Sequence, residues 1–167
     1  MWGERLGGPG SHEAGTSNWV LAALSDYQQQ RQARDVVRLL HFAAEQASAA
    51  TVTEALDRRL LPPATIRAAL PRCSAQKVAE IAEEVPALKA IFEKFERVSL
   101  DERRLPFRAE QFDLNATEVG LLQTTGMILH DGNGYYMPEI FRHGLGFGYS
   151  SGARPRVLAL QRRQLGG

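Results

Sequence analysis

A single cysteine, Cys73, leaves the chain with no possible internal disulfide, which fits a reducing compartment. Long apolar runs are also missing. Nothing approaches the roughly 20 residues a membrane-spanning helix needs, and the opening MWGERLGGPGSHEAG has no apolar stretch of the secretory type. The expectation is a cytoplasmic protein with no membrane attachment. Net charge is nearly absent as well: 20 basic residues against 19 acidic ones leave +1. That is too little for a global field drawing the molecule onto nucleic acid or an anionic surface, so any such binding has to be local. No Gly-x-x-x-x-Gly-Lys-Ser/Thr loop occurs, no Gly-x-Gly-x-x-Gly turn separates a strand from a helix, and Cys and His never fall at zinc-ligand spacing. The sequence predicts no metal, no cofactor of its own and no catalytic residues.

What remains is sufficient for a core. With 167 residues, 44% hydrophobic and 23% charged, the chain sits near the globular average and should bury roughly 70% of its unfolded surface. One domain, or two small modules sharing a core, fits that length. Residues 1–16, with Gly7, Gly8, Pro9 and Gly10, read as a flexible tail. Thr16 and Ser17 are good N-caps for a helix carrying Trp19, Val20, Ala23, Leu24 and Tyr27 on one face. In the next helix Val36, Leu39, Leu40, Ala43, Ala44 and Ala47 form an apolar stripe, with Arg31, Arg34 and Arg38 opposite. The spacing then predicts a short helix over 64–70, opened by Pro63 and stopped before Pro71. Ser74 caps another helix with Val78, Ile81, Ala82 and Val85, and Pro86 starts one with Leu88, Ile91, Phe92 and Phe95.

The pattern changes after Ser99. Leu105-Pro106-Phe107-Arg108 suits an edge strand or crossing segment. Asn115 and Glu118 form a capping box, Leu114 and Val119 a hydrophobic staple, and Gly126 the helix stop. Met127 to His130, the turn Asp131-Gly132-Asn133-Gly134, and Tyr135 to Met137 read as a hairpin. The predicted fold is mostly α: a helical bundle followed by a winged helix-turn-helix with a small β-hairpin wing. The expected division is a lid-like helical module over 17–72, a winged helix over 73–150 and a basic segment over 151–167.

Several segments, TSNWVLAALSDYQQQRQARDVVRLLHFAAE, RLLPPATIRAALPRCS, LKAIFEKF and GYYMPEIFRHGLGFGYSSGARPRVLAL, together resemble the C-terminal portion of bacterial P-loop ATPases of the AAA+/STAND kind. There a helical lid and then a winged helix follow the nucleotide-binding core. The resemblance implies that Arg34, with Arg38 one turn on, contacts the terminal phosphate of a nucleotide, so that ATP enters only through a partner or a core outside this sequence. It implies no hydrolysis by these residues alone, since neither the phosphate loop nor the magnesium-positioning acidic strand is here. The implied mechanism is movement of the winged helix relative to the lid, driven through Arg34 and Arg38.

The charges bear on what the winged helix would recognise. Residues 115–138 contain no Lys or Arg and carry Glu118 and Asp131, a formal −2, which repels phosphate. Thr117, Gln123, Thr124, Asn133 and Tyr135 are therefore candidate protein-docking residues, the partner being a P-loop core or another protein. Arg154, Arg156, Arg162 and Arg163 could still hold nucleic acid weakly, without sequence preference. The alternative reading is a free-standing winged-helix transcription regulator that binds DNA. Glu139 and His143, four apart, read as a side-chain pair rather than a metal site, and Cys73 as an unreactive thiol.

Overall fold

The computed structural model describes residues 15–49 and 61–153. The tail apart from Gly15 and Thr16, and Arg154, Arg156, Arg162 and Arg163, lie outside the described residues. Helix α1 (Thr16–Ala23) starts from Gly15 without a side-chain cap, and Thr16 is buried inside it rather than capping it. It stops earlier than its apolar spacing suggests. Tyr27 then sits in the loop, buried with Tyr136 in a small side cluster. Helix α2 (Ala33–Ala49) buries Asp35, Leu39, Phe42 and Ala43. Its buried face is thus turned away from the predicted Ala44 and toward Phe42, and Arg38 comes to the edge of the core instead of the opposite side.

Helix α3 (Pro63–Glu84) is continuous through Pro71, where two helices were expected. Proline removes one intrahelical bond and crowds the preceding turn, at about 3 kcal/mol in a helix interior. Packing outweighs that cost. Ile66, Ala69, Leu70, Cys73, Ser74 and Lys77 keep helical spacing on one buried face across the proline, whose ring is exposed. Ser74 is accordingly no cap. Its buried hydroxyl donates to the Ile140 carbonyl at 2.6 Å and accepts the Gly144 N–H at 2.7 Å.

Helix α4 (Pro86–Glu96) buries Leu88, Ile91, Phe92 and Phe95 as its spacing predicts. Strand β1 (Arg104–Leu105) follows, then a 3₁₀ turn (Ala109–Phe112), helix α5 (Ala116–Thr124) and the hairpin β2 (Leu129–His130) and β3 (Tyr135–Tyr136). The short helix α6 (Glu139–Arg142) leads to β4 (Gly148–Tyr149). β2 and β3 are antiparallel, with Leu129 opposite Tyr136; β1 and β4 are parallel. An isolated antiparallel bridge joins Phe107 to Tyr135, with N–H···O bonds of 3.0 and 2.8 Å in the two directions. Phe107 is therefore the crossing segment that the Pro-broken sequence suggested. The described residues are mostly helical, with two sheets of two strands each.

α5 obeys its local code. The Asn115 side chain accepts from the Glu118 N–H at 2.9 Å and Glu118 accepts from the Asn115 N–H at 2.8 Å. At the other end Gly126 adopts φ +68°, and N–H bonds run from Gly126 to the Gln123 carbonyl and from Met127 to the Leu122 carbonyl. That pair of bonds is a Schellman stop, with Met127 and Leu122 both buried.

One cluster of buried residues runs from Val20 to Phe147 and includes Phe95, Phe107, Phe112 and Phe147, whose rings meet at 5.1 to 5.9 Å. The expected module boundary between residues 72 and 73 falls inside α3. Contacts cross it at several points. Asp35 of α2 pairs with Lys77 of α3 at 3.0 Å across it, and on the far side a Cβ on Gly144 would stand 2.6 Å from the Ser74 carbonyl oxygen, so α3 and the turn after α6 are in backbone contact. The loop after α1 reaches the end of α5, where the Tyr27 N–H donates to the Gly126 carbonyl at 2.9 Å and Gln28 Nε2 to the Thr124 carbonyl.

Candidate functional site

The basic face of α2 is not a free row of arginines. Asp35, in the first turn of α2, is 1% exposed. It receives Arg38 Nη1 at 3.2 Å from its own helix and Lys77 Nζ at 3.0 Å from α3. Arg38 also bonds Glu80 of α3, and Arg34 Nη2 reaches Glu80 at 3.1 Å. Lys77 adds a bond to Gln32 Oε1 at 2.6 Å. The network fastens α2 to α3, and within it the two predicted nucleotide-sensing residues differ. The Arg38 side chain is 11% exposed and committed on both sides; that of Arg34 is 50% exposed. Sequence spacing allows Asp35 to pair with Arg31 or Arg38, and the pair formed is with Arg38; it had no means of finding Lys77 or Glu80, because a lysine inside an apolar stripe and a glutamate beside it carry no periodic signal.

The second predicted surface lies on α5 and the hairpin. Thr117, Gln123, Thr124 and Asn133 are exposed, and Tyr135 is half-buried. The Thr124 hydroxyl donates back to its own helix, at 2.9 Å from the Gly120 carbonyl. At the N-terminal end of α5, Lys94 Nζ is engaged by Glu118 at 2.8 Å and by the Asp113 carbonyl at 2.6 Å. Asn133 and Tyr135 share the lining of a polar groove of about 290 Å³ between the hairpin turn and residues 107–110. His130 packs edge-on against Tyr135 at 4.9 Å, and Arg108 and Glu110 form the opposite side of the groove. Arg108 comes from before α5 in sequence, which is why a count over 115–138 misses it.

Glu139 organises a third polar group. Arg142 bonds it twice, at 2.9 and 2.6 Å, His143 Nε2 lies 3.1 Å away, and the Tyr149 hydroxyl donates to it at 2.7 Å. The side-chain pair expected of Glu139 and His143 is formed within this larger set. Burial works to raise the Glu139 carboxyl, but the bonds from His143, Arg142 and Tyr149 prevail and hold it at about 2. The Cys73 thiol, buried and 3.6 Å from the Asp35 carbonyl, is pushed up to about 11 by burial and by the Asp35 charge. Among the described residues no three His, Cys, Asp or Glu side chains group as a metal site would, and no helix is long and apolar enough to cross a membrane. No protein-family model, curated protein or solved structure matches this chain.

Proposed function

We propose that this chain is an interaction and regulatory module, built as a helical lid and a winged helix, that couples the nucleotide state of a P-loop core in cis or in trans to protein docking. In this reading α4, β1, the 3₁₀ turn, α5 and the β2–β3 hairpin are the winged helix, with Phe107 joined to β3 by an isolated bridge. The observation that carries the proposal is the outward surface of α5 and the hairpin. It presents Thr117, Gln123, Thr124, Asn133 and Tyr135, contributes no Lys or Arg of its own, has Lys94 tied to Glu118, and is neighboured at the hairpin groove by Arg108, with Glu110 in the same lining. Groove readers need cations around the recognition helix to hold phosphates; protein-docking surfaces do not.

Arg34 is the residue that reaches the nucleotide. It can leave Glu80 without exposing a buried charge, because Arg38 keeps that carboxylate neutralised. Moving Arg38 outward would take a partner from both Asp35 and Glu80 at once. The Tyr27 and Gln28 contacts with the end of α5 make the lid and winged helix travel together, so the unit moves against the core as one body. The test is association with a P-loop ATPase core, measured with ATP and with ADP. Arg34→Ala should abolish the nucleotide dependence of binding while leaving the fold intact. Sequence-selective binding of duplex DNA that persists at physiological salt would instead establish the transcription-regulator alternative.

A further inference from the structure

Behind the buried network lies a cleft of about 100 Å³, lined by Leu24, Asp26, Arg31, Lys77, Ile140 and Phe141 together with Asp35 and the Gln30 and Gln32 side of the loop. At one water-sized group per 10–15 Å³ it has room for about seven to ten heavy atoms, so an acid of about six fits with space to spare. It sits where the loop between α1 and α2 meets α3 and α6, and Gln29 of that loop holds a left-handed φ of 62°.

The lining has an order to it. Lys77 is 6% exposed and has three N–H donors, of which Asp35 and Gln32 take two. No other described residue takes the third, and Lys77 lines the cleft. Arg31 uses Nε on the Ser25 hydroxyl at 2.9 Å, which orients the guanidinium and leaves its two Nη groups without a partner among the described residues. Two convergent cationic donors of this kind match the two oxygens of a carboxylate. Asp26 stands on the loop side, its Oδ1 taken by the Gln30 N–H at 2.8 Å, and Leu24, Ile140 and Phe141 supply an apolar floor. The charges of Arg31 and Lys77 are balanced by those of Asp26 and Asp35. A bare anion gains little from such a lining, whereas a ligand with a carboxylate at one end and a hydrogen-bond donor beside it uses both halves.

We propose that this cleft binds a small 2-amino or 2-hydroxy acid of about three carbons, its carboxylate held by Arg31 and Lys77, its amino or hydroxyl group donating to Asp26, and its short side chain on Leu24, Ile140 and Phe141. Burial raises the Asp26 carboxyl above its ordinary range, and a donor placed against it relieves that cost. The site belongs to this chain alone and stands or falls independently of the nucleotide reading.

The experiment is titration of the whole chain with L-alanine, L-lactate, propionate and inorganic phosphate, followed by calorimetry and by thermal shift. Alanine or lactate should bind and raise the melting temperature, because the ligand joins the α1–α2 loop to α6. Propionate, which lacks the donor, should bind about ten-fold more weakly or worse, and phosphate weaker still. Arg31→Gln, an exposed position whose replacement leaves the core untouched, should remove binding with an unchanged circular dichroism spectrum. Asp26→Ala should erase the preference for alanine or lactate over propionate. Absence of binding by all four probes, phosphate as the tightest of them, or affinity indifferent to Arg31→Gln would each overturn the proposal.

Discussion

At the scale of single residues, Glu139 ties pH to stability. Its carboxyl is held at about 2 in the folded protein, against 4.5 in its absence, by His143, Arg142 and Tyr149 acting against burial. A depressed folded value means the stabilisation is complete above pH 4.5 and disappears as the pH falls toward 2. The unfolding free energy should drop by about 3 kcal/mol over that interval on account of this group. Urea titrations from pH 7 to 2 should show Glu139→Gln starting less stable and losing correspondingly less. Parallel acid limbs in the two proteins would remove Glu139 from that role. Cys73 makes a different prediction. With its thiol buried and pushed up to about 11, iodoacetamide at neutral pH should leave it unmodified in the native state and alkylate it rapidly in urea; rapid native labelling would mean the site opens.

At the scale of elements, local codes and tertiary packing each decided different segments. α5 was legible because its start and stop are written in short-range chemistry: Asn115 with Glu118, and Gly126 at a left-handed φ. The hairpin turn and the apolar face of α4 could be read for the same reason. α3 could not. Pro71 is a local breaker, and the reason it fails to break lies in partners on α2 and α6, which no window of sequence contains. The same holds for Lys77 and Glu80, whose partners are about forty residues away in sequence. A residue that persists against local preference also offers a clean measurement. Pro71→Ala restores the missing N–H bond and removes the ring's crowding at an exposed position, so the melting temperature should rise, by an increment of about 1 kcal/mol or more. A lower melting temperature would show that the ring contributes a contact worth more than the hydrogen bond.

At the scale of the whole molecule, the helical half and the half with the hairpin share one apolar cluster from Val20 to Phe147. Equilibrium unfolding followed by tryptophan emission, which comes from Trp2 and Trp19 in the N-terminal half, should coincide with unfolding followed by the resolved NMR signals of Phe107 and Tyr135 in the other. Separated midpoints would restore two independent modules. The position of α3 has a consequence beyond cooperativity. Because α2 packs along both halves of α3 and α6 on its C-terminal half, severing the backbone after Arg72 would hand each piece half of a helix and half of a core. Neither peptide should hold structure by itself, yet mixed in equal amounts they should reassemble, which makes this chain a natural split reporter whose reconstitution could be tuned through Asp35 and Lys77, paired across the cut.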